Sequence, residues 1–96
     1  MRPGVRLGID WGDARIGVAA CDREGLMAFG VATVTAGDRA LAELAGLVAE
    51  YEPIEVVLGL PRTMAGGEGI AAEKIRARAA ELADRLPVPV RLVDER

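Results

Sequence analysis

Val5-Arg6-Leu7-Gly8-Ile9-Asp10-Trp11-Gly12-Asp13-Ala14-Arg15-Ile16-Gly17-Val18-Ala19-Ala20-Cys21 opens the chain after a short leader and decides the fold. In its first part Val5, Leu7 and Ile9 alternate with Arg6, Gly8 and Asp10, the period of two that sends successive strand side chains to opposite faces. Gly12 and Asp13 are turn formers, so Trp11 to Ala14 predicts a short turn. A second strand follows over about Arg15 to Cys21, then a turn at Asp22-Arg23-Glu24-Gly25, then a third strand over about Leu26 to Val34. Links this short cannot contain a crossover, so the three strands are expected to form an antiparallel meander.

The pattern then changes period. Thr35 to Asp38 carries helix-start residues, with Asp38 as the expected N-cap. Leu41, Leu44 and Val48, widened by Leu47 and Tyr51, form the apolar stripe of a helix running to about Glu52, where Pro53 stops it. Val56-Val57-Leu58-Gly59-Leu60 is a continuous apolar run, the pattern of a strand buried on both faces. Pro61 to Gly69 is a glycine-rich loop. A long helix is expected over about Ile70 to Leu86, with Ile75, Ala79, Leu82 and Leu86 on its inner side. Arg76, Arg78, Glu81, Asp84 and Arg85 fall mostly on its outer side, where Glu81 and Arg85 make a favourable i,i+4 pair. Pro87 ends the helix, and Val88 to Val93 is a last strand with Pro89 near its start. The order β-β-β-α-β-α-β predicts an α/β fold: a mixed five-stranded sheet in one domain over residues 1–96. Asp94-Glu95-Arg96 follows the last strand directly. A sheet with helices mainly on one face leaves the other bare, so the domain is expected to be incomplete at its C-terminal side.

Composition narrows the classes. A chain of 96 residues, 51% hydrophobic and 28% charged, is a soluble globular domain rather than a disordered segment. A domain this small buries only about 60–65% of its unfolded surface, which leaves a thin stability margin. Trp11, Phe29 and Tyr51 are its only aromatics, so the core is aliphatic. The single cysteine, Cys21, cannot close an internal disulfide and is expected to act as a small hydrophobe in the sheet; a reduced, cytoplasmic setting fits. No signal peptide is apparent, and no apolar run approaches the roughly 20 residues needed to cross a bilayer. The net charge of −3 shows no basic excess for phosphate binding, and the absence of histidine removes a histidine general base. Any chemistry falls to carboxylates, hydroxyls or a bound metal.

Asp10 ends a strand whose odd positions are apolar, and Gly8 and Gly12 flank it, leaving backbone that a ligand can approach. A turn-capping role is the alternative. Asp94 and Glu95 close the last strand; being adjacent they face opposite ways, so only one easily joins Asp10. Asp10, the loop after Leu60 and Glu95 all lie at carboxyl ends of strands, the rim at which open α/β sheets bind ligands. In the loop, backbone N–H groups ahead of the long helix could hold a phosphate with Arg62 as a charged clamp, although no Gly-Lys-Ser/Thr makes it a Walker loop. Arg15, Arg62 and Arg76 are the candidate substrate-binding residues, and a solvated helix face is the plainer reading of Arg76. Trp11 could stack on a base, or, the preferred reading, cover the end of the core.

Leu7-Gly8-Ile9-Asp10-Trp11-Gly12, Arg15-Ile16-Gly17-Val18-Ala19, Val57-Leu58-Gly59-Leu60-Pro61 and Val93-Asp94-Glu95-Arg96 resemble, in order and spacing, the four signature blocks of the YqgF family. Gly66-Gly67-Glu68-Gly69 resembles the loop before that family's long helix. Its members look like Holliday junction resolvases and share the ribonuclease H-like fold. The resemblance implies a metal-dependent nuclease that matures the 5′ end of pre-16S rRNA in ribosome biogenesis, with structured nucleic acid as its partner. It assigns Asp10 and Glu95 as catalytic, metal-holding carboxylates, and places a third carboxylate on a C-terminal helix that this sequence does not contain. Such groups hold Mg²⁺ or Mn²⁺, hard cations that prefer oxygen ligands. With two acids instead of three this chain is expected to be weak or inactive, and a bare apolar patch would invite homodimerisation. Two features depart from the family pattern: Trp11 stands in place of a smaller residue, and Phe29-Gly30 where a proline is usual. Neither touches the acid positions. Two rival readings remain: the phosphate loop of an actin-like ATPase, which also carries Asp-X-Gly between strands but needs a second similar domain, and a non-enzymatic nucleic-acid or ribosome-associated binding module.

Overall fold

The alternation in the opening stretch becomes strand β1 (Arg6–Trp11), paired antiparallel with β2 (Arg15–Cys21), which pairs antiparallel with β3 (Ala28–Thr35). The computed structural model describes residues 4–21, 28–60 and 69–94. Helix α1 (Ala40–Tyr51) then leads to β4 (Glu55–Leu60), and helix α2 (Gly69–Arg85) to β5 (Val90–Asp94). β4 lies parallel to β1 and β5 parallel to β4, so the sheet runs β3-β2-β1-β4-β5 with β1 at its centre. This is the mixed five-stranded α/β sheet expected from the order of elements.

Both helices cover one face. Leu7, Ile9, Ile16, Val18, Val34, Val56 and Leu58 from the strands meet Leu44 and Val48 of α1 and Ile75 and Leu82 of α2 in a single aliphatic core. On the other face lie Gly8, Gly17, Ala19, Val57, Gly59 and Val93, none fully buried. The expectation that β4 is buried on both faces is therefore corrected. Val56, Leu58 and Leu60 are buried while Glu55, Val57 and Gly59 are only half-covered, because neither crossover helix lies over that side.

The element ends differ in instructive ways. Trp11 belongs to β1, not to a turn: it pairs with Ile16 and packs against the core, on the face opposite Asp10. That corrects the turn and agrees with the reading in which Trp11 covers the end of the core. The hairpin loop is Gly12 to Ala14, closed by the Gly12 N–H donating to the Arg15 carbonyl at 2.9 Å. A Cβ at residue 12 would sit 2.7 Å from that same oxygen, so only glycine fits. Asp38 is not the N-cap of α1. The Ala40 N–H bonds back to the Gly37 carbonyl, the helix begins two residues later than Asp38, and Arg39 at the cap position makes no side-chain capping bond. Helix α1 ends at Tyr51 with Glu52 in the left-handed conformation, ahead of a buried Pro53. Strand β5 starts at Val90 rather than Val88; Pro89 has no N–H to give the ladder, but its carbonyl accepts from Val56 at 2.9 Å. The start of the third strand at Leu26 and the loop from Pro61 to Glu68 lie outside the described residues.

Candidate active site

The pleat of β1 buries Ile9 among the helices and turns Asp10 out onto the open face, where it is exposed. Among the described residues, its neighbours on that face along and across the adjoining strands are glycines. Gly17 is its cross-strand partner on β2, Gly8 precedes it on the same face of β1, and Gly59 stands on that face of β4. A Cβ added at Gly17 would lie 4.0 Å from the Asp10 Cβ, so the glycine marks open ground rather than a packing need.

Because β1, β4 and β5 run parallel, Asp10, Leu60 and Asp94 come to one rim of the sheet, the convergence anticipated for the carboxyl ends. Asp94 is in register with Leu60, and Val93 with Gly59, which lies on the open side. Val93 thus shares the face of Asp10, two strand spacings away, or about 10 Å. Glu95 and Arg62 lie outside the described residues. Arg15 opens β2 on the face of Asp10 and is exposed; Gly17 separates the two along the strand. Arg76 is exposed on α2, across the sheet from Asp10, so the structure brings Asp10 and Arg15 together and leaves Arg76 apart.

As a metal ligand, Asp10 offers the hard oxygen donor that a divalent cation prefers, at a position a hydrated ion can reach. Among the described residues no three acidic, histidine or cysteine side chains come together in a cluster that could hold an ion.

Two features escaped the sequence reading. Thr33 and Thr35 stand exposed on β3, on the same face as Asp10 and Arg15, because Val34 between them is buried. Their alternation with Val34 was the available signal. At the far, amino end of the parallel strands, Glu55 accepts from Arg6 Nε at 2.6 Å and from an Arg91 guanidinium nitrogen at 3.0 Å. The hydrogen bonds from Arg91 and Arg6 hold the Glu55 carboxyl below its ordinary range, and the same carboxylate raises Arg91. No spacing rule could have paired residues 49 and 36 positions apart.

A parallel trio beside an antiparallel pair, with an acid at the carboxyl end of β1 where the two halves of the sheet meet, is the ribonuclease H-like fold. The same fold is seen in the Thermus thermophilus RuvC bound to its Holliday junction substrate, with a TM-score of 0.66 over 94% of this chain and 64% of that one; at 19% identity that likeness shows the fold alone. Residues 4–96 match the family model described as RuvX, Holliday junction resolvase, and the chain belongs to that family. Among curated relatives, a protein of Streptomyces avermitilis named "Putative pre-16S rRNA nuclease" is 62% identical across 100% of this chain and 64% of its own length. One of the same name from Streptomyces coelicolor is 61% identical, across 100% of this chain and 59% of its own. The chain therefore spans about three-fifths of the length of these relatives. The family signature read from the four sequence blocks is borne out, and the actin-like alternative is not favoured.

Proposed function

We propose that the protein is a divalent-metal-dependent nuclease that hydrolyses phosphodiester bonds at the 5′ end of pre-16S rRNA in the cytoplasm. The observation that carries this reading is the exposed Asp10 carboxylate on glycine-cleared ground, at the rim shared by three parallel strands. Family membership and the names of the Streptomyces relatives supply the reaction class and the substrate. In this reading Asp10 and Glu95 hold Mg²⁺ or Mn²⁺. Glu95, rather than its neighbour Asp94, is taken as the second acid on the resemblance of the Val93-Asp94-Glu95-Arg96 block to the family's. A bound cation supplies an activated water and neutralises charge gathering on the scissile phosphate. Arg15 and Arg62 grip phosphate oxygens beside it, as guanidinium groups do with paired charge-assisted hydrogen bonds. Arg76, on the helical layer, meets only a nucleic acid that wraps around the rim.

No helix among the described residues is long and apolar enough to cross a membrane. A chain of the relatives' full length is expected to cleave faster than this one, and the half-covered open face of this one is expected to favour homodimers. A non-enzymatic nucleic-acid binding module is the rival that the same experiment tests.

Cleavage of structured RNA in Mn²⁺ or Mg²⁺, with and without a chelator, decides between them. Asp10→Asn should slow cleavage by at least on the order of 100-fold, because even outer-shell support of a metal ligand is commonly worth 10–100-fold. Chelation should abolish cleavage. Metal-independent turnover, or turnover that ignores Asp10→Asn, overturns the nuclease reading, whereas RNA binding unchanged by Asp10→Asn with no turnover supports the binding module.

A further inference from the structure

We propose that β2 and β3 carry a phosphate-binding strip of Arg15, Thr33 and Thr35, which seats a backbone phosphate beside the scissile one and leads the nucleic-acid strand from Asp10 out over the β3 edge of the sheet. The inference rests on the nuclease reading for the role of Asp10.

The pairing register draws the path. Asp10 pairs with Gly17, and Gly17 with Thr33, so the three form one row across β1, β2 and β3. Arg15 pairs directly with Thr35 in the next such row. Ile16, Val18 and Val34 are buried under the helices, which assigns Arg15, Gly17, Thr33 and Thr35 to the opposite, open face, where Asp10 also stands. Gly17 puts no side chain between Asp10 and Thr33, so a trough two strand spacings wide, about 10 Å, joins the acid to the edge strand.

Along the wall of that trough stand one guanidinium and two hydroxyls, the donors that proteins use on nucleic-acid phosphates. Among the described residues, Arg15 is engaged with no carboxylate, unlike Arg6 and Arg91, which meet at Glu55. Among the described residues on the other side of Asp10, Val57, Gly59 and Val93 of the same face have nothing to give a phosphate, and the arginines of that face, Arg6 and Arg91, are held by Glu55 at its far, amino end. Direction follows from that contrast: the strand leaves toward β3. Donors of this kind touch the backbone, not the bases, so the strip is blind to sequence and indifferent to the sugar.

Threonine also favours strands for its shape alone. Valine keeps that shape and preference while removing the hydroxyl, so Thr33→Val/Thr35→Val isolates the proposed chemistry from strand formation. Affinity for a short fluorescent RNA and its DNA counterpart is measured by anisotropy without catalytic metal, across a salt series, with thermal melts confirming each fold. The double valine variant should bind both oligonucleotides on the order of 30-fold more weakly, the loss expected of two hydrogen bonds at about 1 kcal/mol each. Arg15→Gln should weaken binding and lower the salt slope by about one. Arg85→Gln, exposed on the helical layer, should leave both values unchanged. Wild-type affinity in the valine variant, an unchanged slope in Arg15→Gln, or no binding by the wild type overturns the strip. The nuclease reading is judged separately, by Asp10→Asn cleavage, so either can fail while the other stands.

Discussion

At residue 17 a missing side chain does as much for the site as the carboxylate opposite it. Gly17 meets no neighbour closely enough to require glycine for packing, since an added Cβ would make only an ordinary contact, 4.0 Å from that of Asp10. Gly17→Ala is accordingly expected to fold and to retain much of its activity. Gly17→Leu should also fold, because the added atoms extend over an open face, yet its branched end would occupy the ground between Asp10 and Thr33. The expected result is a near-wild-type melting temperature with cleavage and oligonucleotide affinity both reduced; undiminished cleavage by Gly17→Leu would show that substrate does not cross β2. Much of this was legible in the sequence at the level of single residues. The alternation of Leu7 and Ile9 with Gly8 and Asp10 already separated the acid from the core. The clearing around it was not legible, because Gly17 and Gly59 become its neighbours only through strand pairing.

Among the elements, the strands and helices appeared where hydrophobic period placed them, and the errors gathered at ends, where short-range hydrogen bonding competes. Asp38 has the chemistry of an N-cap, but a backbone turn from Gly37 to Ala40 satisfies the first N–H and moves the helix start past it. Pro53 lies just beyond the end of α1, as expected of a helix stop. The chain reaches it through Glu52 at φ 48°, a left-handed conformation in which a Cβ crowds the following carbonyl at a cost of about 1–2 kcal/mol. The Glu52 N–H caps Val48 by its backbone, a bond that any residue can make. Glu52→Gly should therefore stabilise the fold by about 1 kcal/mol, part of the relieved crowding being offset by the greater freedom of glycine in the unfolded chain. Chemical denaturation checks it: a higher midpoint with an unchanged slope is the expected outcome, and a lower midpoint would mean that the glutamate side chain contributes something the backbone does not.

For the molecule as a whole, the question is what keeps β1, β4 and β5 in register, since their common rim depends on it and they come from separated parts of the chain. On one side the aliphatic core does so, with Leu7, Val56, Leu58 and Leu82 almost wholly enclosed. On the open side, at the amino ends of the strands, Glu55 of β4 ties Arg6 of β1 to Arg91 of β5. The charge assistance of those bonds is present only while Glu55 is ionised. Its carboxyl is held below its ordinary value in the folded state, first by the hydrogen bond from Arg91 and then by that from Arg6. The resulting stabilisation is complete above the unfolded-state value, about pH 4.3, and disappears as pH falls through the lower folded value. Glu55→Gln removes the ionisable group, so it should melt a few degrees below wild type at neutral pH, the modest amount expected when Arg91 is largely exposed. The gap should close as the pH is lowered below about 4. A gap that persists unchanged into acid would assign the effect to packing of the Glu55 side chain. A gap that closes would show that charge on the open face helps to align the strands that bring Asp10 to its rim.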